Sequence, residues 1–200
     1  MSEIGIDYLQ VESLDSSLFG NQNPFCLEIG CGQDPFLLKM AVRHPEWNFI
    51  GIELENWVLG KLLKKARKVA LPNLKLLRSD ARTAIFEKVA YESVHEFYIN
   101  HPDPWPKTRH RRRRLVKDEF LEMLISKLVP GGKLFYSSDF EDYALQVAGK
   151  LHSTGLTTSL FPGRLYSTDF PDYPRTRFMR RFLNLGQPIY FVAVEKNYQK

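Results

Sequence analysis

Cysteine is scarce in this sequence: Cys26 and Cys31 are the only two among 200 residues, and their spacing fits neither a zinc-ligand pattern nor a disulfide framework. The five histidines, at positions 44, 95, 101, 110 and 152, share no metal-ligand spacing, so no metal is expected. No apolar run approaches membrane-spanning length, and the opening residues MSEIGIDYLQVESLDSS have neither the basic start nor the long apolar stretch of a signal peptide. A nucleophile elbow of the GxSxG kind is missing too, as are internal repeats and low-complexity tracts apart from one arginine run. These absences exclude a disulfide-stapled domain, a membrane span, a histidine-built metal centre and a serine-hydrolase site. They leave the expectation of a soluble protein in a reducing, cytoplasmic compartment.

What is present is unevenly distributed. The chain carries 28 basic and 23 acidic residues. Lys107, Arg109, Arg111, Arg112, Arg113, Arg114 and Lys117 fall together in a window that contains no acid, so the remainder of the chain is slightly acidic. The basicity is a local patch, suited to docking a polyanion on one face. Directly before it stands His101-Pro102-Asp103-Pro104-Trp105-Pro106, in which three prolines restrict the backbone around one acid and one large aromatic.

Hydrophobic periodicity supplies the frame. Residues 25–29, 48–54, 74–77, 93–100 and 133–138 read as strands, and 35–42, 55–70, 118–128 and 142–153 carry apolar residues at helical spacing. Strands alternating with amphipathic helices at this rhythm predict an α/β, doubly wound, mostly parallel sheet covered on both faces. Residues 156–160 read as a further strand, and 176–183 with 189–195 as an antiparallel hairpin turning about residues 184–187, which closes the sheet. Residues 1–24, interrupted by Gly20, Asn21, Asn23 and Pro24, form a lead-in to a single domain spanning 25–200.

In open parallel sheets ligands bind beyond the carboxyl ends of the strands. Five acids sit at five successive strand ends: Glu28, Glu53, Asp80, Asp103 and Asp139. Gly30 and Gly32 let the backbone pass close to a ligand, and a carboxylate about twenty residues on is placed to accept from ribose hydroxyls. The dinucleotide pattern requires a third glycine where this chain has Pro35, which argues against a pyrophosphate across the turn. An acid immediately before the glycines suits a ligand with a cationic amine. S-adenosylmethionine fits, with Glu28 to its ammonium, amides near Gly30 and Gly32 to its carboxylate and Glu53 to its ribose.

The segments FCLEIGCG, FIGIE, SDA and HPDPWPKTRHRRRR together resemble the bacterial tRNA (guanine-N7)-methyltransferases, the TrmB family, over about residue 25 to the C-terminus. That resemblance implies a seven-stranded S-adenosylmethionine-dependent methyltransferase fold and transfer to N7 of a guanosine in the tRNA variable loop. It also implies that Glu28, Glu53, Asp80 and Asp103 bind the donor and that Asp103 is the catalytic position. By the same likeness, Lys107, Asp139, Thr176, Arg177, Phe178 and Met179 contact substrate. Arg109, His110, Arg111, Arg112, Arg113 and Arg114 would bind RNA. The chain departs from the family at Gln33-Asp34-Pro35, where another small residue is usual, and at Met179, where the Thr-x-x-Glu segment ends in glutamate.

Guanine N7 has a lone pair and no proton, so methyl transfer to it needs no general base; placement and stabilisation of the cationic product dominate. Two other readings stay open at this level. One takes residues 100–105 as a distorted Asp-Pro-Pro-Tyr loop of an exocyclic-amino methyltransferase, and the other takes the chain as an RNA-binding relative that has lost catalysis. The partner expected is tRNA, with the chain a monomer or homodimer.

Overall fold

The computed structural model describes residues 4–6 and 10–198. Among the described residues eight strands form one sheet: β1 (Gly5–Ile6), β2 (Phe25–Ile29), β3 (Asn48–Glu53), β4 (Leu74–Arg78), β5 (Val94–Asn100), β6 (Leu128–Ser138), β7 (Thr157–Ser159) and β8 (Tyr190–Lys196). Their order across the sheet is β1-β4-β3-β2-β5-β6-β8-β7. The pairings are parallel except at β8, which runs antiparallel to both β6 and β7. The doubly wound α/β sheet of seven strands is as the sequence predicts, with the two-residue β1 added at its edge by the lead-in.

Every residue of β2 is buried, as it must be in a strand covered on both faces. Its side chains alternate: Phe25, Leu27 and Ile29 enter one core, and Cys26 enters the other. The first core is covered by α3 (Ala81–Lys88), α4 (Asp118–Lys127) and α5 (Glu141–Ser153), and the second by α1 (Phe36–Arg43) and α2 (Asn56–Val69). Gly51 in β3 allows α1 to lie close, since a Cβ there would come within 2.8 Å of Leu37, 2.9 Å of Cys31 Sγ and 2.9 Å of Leu76.

The segment between β4 and β5, without a clear period in the sequence, is α3, and Asp80 caps it by accepting from the Thr83 amide at 3.0 Å. The lead-in places Leu14, fully buried, in the first core.

One expectation is overturned. Residues 176–183 are not a hairpin strand. They form α6 (Arg177–Asn184), which packs Met179 into the second core, and the strand antiparallel to β8 on its far side is β7. The physical reason lies at the two ends of the helix. The Thr176 hydroxyl accepts from the Met179 amide at 3.0 Å, and the Met179 sulfur accepts from the Thr176 amide at 3.5 Å, a reciprocal N-terminal cap. At the other end Gly186, at φ 71°, lets its amide and that of Gln187 reach the carbonyls of Leu183 and Phe182. The glycine that reads as a hairpin turn is a helix stop.

Candidate active site

Strand order reverses at β2, flanked by β3 on one side and β5 on the other, so the crevice for a ligand opens beyond its carboxyl end. A cleft of about 770 Å³ lies there, with Glu28, Gly32, Asn100, His101, Asp103 and Phe178 among its lining residues. It brings together seven of the positions singled out in the sequence: Glu28, Gly30, Gly32, Asp103, Thr176, Arg177 and Phe178.

Beyond β2 the chain turns at Gly30 and Gly32, whose φ values of 69° and 60° lie in the left-handed region that glycine enters without strain. The amides of Gly30 and Cys31 both donate to the Ile52 carbonyl. Glu53, at the end of β3, accepts from the Gly32 amide at 2.9 Å and from the Glu55 amide at 3.0 Å. One carboxylate therefore fixes both the glycine turn and the entry to α2. Asp34 ties the same turn to α6 by accepting from the Arg177 amide, so the departure at residues 33–35 has a structural partner in the chain.

Glu28 is 2 % exposed. Its Oε1 accepts from Asn100 Nδ2 at 2.9 Å, while Oε2 has no partner within the described residues. Burial pushes its carboxyl well above the usual range, and the charges of Asp34 and Glu53 push the same way against the Asn100 hydrogen bond. A buried acid with one orphaned oxygen is fitted to a cation, because a positive group there would satisfy the oxygen and restore the carboxylate.

The loop after β5 is held in strained backbone, with positive φ at His101 (49°) and Trp105 (42°), each costing about 1–3 kcal/mol where the surroundings do not compensate. The compensation is visible. His101 donates its amide to the Ser137 carbonyl at 2.9 Å, and its ring approaches Asp139 through Nδ1 at 3.5 Å and Phe178 at 4.9 Å between centroids. Asp139 is half-buried, which raises its pKa, but hydrogen bonds from His101 and the backbone outweigh burial and lower it on balance. Asp103, between the two strained residues, is exposed, and its carboxylate takes no hydrogen bond or ion pair among the described residues. Trp105 packs within the loop, under Arg113 and edge-on to His110.

The remaining predicted positions lie elsewhere. Asp80 is exposed and engaged in capping α3, Glu53 stands behind the glycine turn, Asp139 is reached through His101, and Lys107 is exposed on the loop. Met179 is fully buried, so its side chain serves the helix cap and the core. Arg114 differs sharply from its neighbours. It is 1 % exposed, and it donates to the Pro104 carbonyl at 2.8 Å, to Asp142 at 2.8 Å and to Gln146, with its guanidinium 4.4 Å from the Tyr143 ring centre. Arg109, Arg111, Arg112 and Arg113 are exposed along a short 3-10 turn, with Arg111 paired to Asp142 at 2.8 Å.

Asn100, Asp34 and Tyr173 are cleft or cleft-supporting residues that sequence reasoning does not single out as site residues, whereas Arg181, which also lines the cleft, belongs to a second arginine set, with Arg175, Arg177 and Arg180, that the sequence offers as an extension of the basic patch. Asn100 has a signal, as the last residue of a strand next to β2, but a polar strand end has no chemistry of its own to mark it. Tyr173, in the stretch before α6, has none.

The "Putative methyltransferase" family model matches residues 22–192. A tRNA (guanine-N(7)-)-methyltransferase of Syntrophotalea carbinolica is 40% identical over 96% of this chain and 84% of its own length. A protein of the same name from Geobacter metallireducens is 38% identical over 90% of this chain and 86% of its own length. Among solved structures, the 16S rRNA methyltransferase KamB superposes with a TM-score of 0.62 at 15% identity, covering 92% of each chain. An antibiotic-related methyltransferase gives 0.60 at 16% identity, also over 92% of each. At that identity the likeness is one of fold.

Proposed function

Because the chain belongs to the tRNA (guanine-N(7)-)-methyltransferase family, we propose that it methylates N7 of a guanosine in the variable loop of tRNA, with S-adenosylmethionine as donor. The single observation that carries this reading is the cleft at the β2 switch point, where the buried Glu28, with its orphaned oxygen, faces the same space as the free carboxylate of Asp103. S-adenosylmethionine supplies an electrophilic methyl group on a sulfonium.

The chain's residues divide the remaining work. Glu28 takes the donor's ammonium, the turn at Gly30 and Gly32 offers backbone to its carboxylate, and Glu53 and Asp80, which stand at the cleft's edge holding the glycine turn and the start of α3, meet its nucleoside end with the lone pairs those bonds leave unused. Asp103 holds the base and stabilises the positive charge that N7 methylation leaves on the purine, an electrostatic task that needs no proton transfer. Phe178, 44% exposed and tilted against His101, gives the base a wall. Asp139, held by His101, with Lys107, Thr176 and Arg177, completes the substrate side, and Met179 contributes through the cap of α6 rather than by touching the base. Arg109, His110, Arg111, Arg112 and Arg113 meet RNA phosphates, while Arg114 holds the loop that presents them. Among the described residues no helix is long and apolar enough to cross a membrane, and no cluster of potential ligands could hold a metal. We place the work in the cytoplasm, as a monomer or homodimer.

The test is incubation with labelled S-adenosylmethionine and unmodified tRNA at low salt, followed by nucleoside analysis and mapping. The expected product is 7-methylguanosine in the variable loop, with turnover reduced about a hundredfold or more in Asp103→Ala. Label in an exocyclic amine, or donor binding without product, would reject the reading.

A further inference from the structure

Asn100 stands at the end of β5, in register with Ser137 of β6 and next to β2. Its side chain makes three hydrogen bonds. Nδ2 donates to Glu28 Oε1 at 2.9 Å, and Oδ1 accepts from the Tyr173 hydroxyl at 2.8 Å and from Ser137 Oγ at 3.0 Å. Ser137 is fully buried and Tyr173 is 6 % exposed, so neither hydroxyl has solvent as a ready substitute.

The amide has two possible orientations. With oxygen toward the hydroxyls, it presents an N–H to Glu28 and favours the carboxylate; reversed, it would set its oxygen against Glu28 and require a protonated acid. Two hydroxyl donors converging on one oxygen select the first orientation. We propose that Asn100 is the positioning residue of the donor site, clamped by Tyr173 and Ser137 so that it holds Glu28 with one oxygen occupied and the other left for the ammonium of the methyl donor. Among the described residues Asn100 alone is seen to favour the charged form of Glu28, while burial, Asp34 and Glu53 oppose it. Tyr173 lies in the stretch leading into α6 and stacks on Phe36 of α1 at 5.4 Å between ring centres, so the clamp spans the chain from its first helix to its last.

This inference rests on the donor reading given above, and two probes separate the two. S-adenosylhomocysteine carries the ammonium and carboxylate, whereas 5′-methylthioadenosine has the nucleoside without the amino acid. Calorimetry with both is run on the wild type, Asn100→Asp and Tyr173→Phe. Asn100→Asp is isosteric and keeps an oxygen for both hydroxyls, but turns an acceptor toward Glu28. It is expected to weaken S-adenosylhomocysteine about tenfold or more and to leave 5′-methylthioadenosine within about twofold. Tyr173→Phe, which removes one of the two clamping hydroxyls, should give a loss of about threefold confined to the first probe, and it carries the test alone if Asn100→Asp fails to fold. In a Glu28→Gln background Asn100→Asp should cause no further loss, because the two residues act as one unit. Equal weakening of both probes would mean that Asn100 only supports the scaffold, and unchanged affinity for S-adenosylhomocysteine would mean that it does not act on Glu28; either overturns the proposal. A wild type that binds neither probe overturns the donor reading and this inference with it.

Discussion

Glu28 shows how one side chain can cost the fold and serve the ligand. Burial raises its carboxyl above the ordinary value of 4.5, so the folded protein holds a proton there more tightly than the unfolded chain does. Between 4.5 and the raised value the unfolded state therefore binds fewer protons, and stability falls as pH rises through that window. Glu28→Gln removes this dependence. Its unfolding midpoint relative to wild type, measured by denaturant titration at several pH values, should shift in the variant's favour as pH increases from about 4.5, while affinity for S-adenosylhomocysteine is lost. A parallel pH response in both proteins would mean that Glu28 is not the group responsible. Arg114 is the opposite case, a charge whose neighbours in sequence give no hint of its burial. Its hydrogen bonds to Asp142 and Gln146 of α5, together with one to the Pro104 carbonyl, pin the loop to that helix. Arg114→Ala strips the Pro104 carbonyl and Gln146 of a buried donor, leaves Asp142 to Arg111 alone and should cost about 2 kcal/mol, whereas Arg112→Ala, on an exposed side chain, should stay within about 0.5 kcal/mol. Thermal melting of the pair distinguishes them, and equal losses would reject the division between holding and presenting.

At the level of elements, the sequence is informative where period and environment agree. Strands β2, β3 and β5 are buried on both faces and bounded by turn residues, so their apolar runs can be read directly, and the polar residues at their ends mark the crevice. The strand reading of α6 fails because eight residues with Phe178, Met179, Phe182 and Leu183 fit a short strand or a short helix nearly equally. The information that decides it is in the caps: Thr176 with a partner three positions on starts a helix, and Gly186 stops it. This also gives the Thr-x-x-Glu pattern a structural meaning, since here Met179 fills the reciprocal place of the capping box with its sulfur. Which acids face the cleft is not legible from position alone. Asp80 and Glu53 end their strands as Glu28 does, yet the first caps α3 and the second binds the glycine turn, and only the packing of neighbouring segments separates those outcomes. Asn100 and Tyr173 meet across 73 positions of sequence, a pairing that no local pattern encodes.

For the molecule as a whole, helical geometry in α6 has a consequence for charge. Arg177, Arg180 and Arg181 fall on the exposed side of the helix, opposite Met179, whereas a strand would have turned them to alternate faces. Arg177 and Arg181 also line the cleft. Exposed arginines thus stand on both α6 and the loop bearing Arg109, Arg111, Arg112 and Arg113, with the cleft drawing on both segments. If both sets meet RNA phosphates, Arg180→Gln with Arg181→Gln, and Arg112→Gln with Arg113→Gln, should each lower tRNA affinity and flatten the slope of log affinity against log salt by about 0.7–0.9 for each phosphate no longer neutralised. Filter binding across a salt series reads this out, and a slope unchanged in the α6 pair would confine the RNA surface to the loop.

The placement of β8 between β6 and β7 means that the order of synthesis is not the order of assembly. β7 emerges from the ribosome before β8, the strand it pairs with among the described residues, and β6 presents a bare hydrogen-bonding edge until residues 190–196 arrive. The nascent sheet therefore passes through a stage with an open edge beside a finished parallel half, when pairing with another chain competes with completion. The strand that closes this window is made after both of its neighbours.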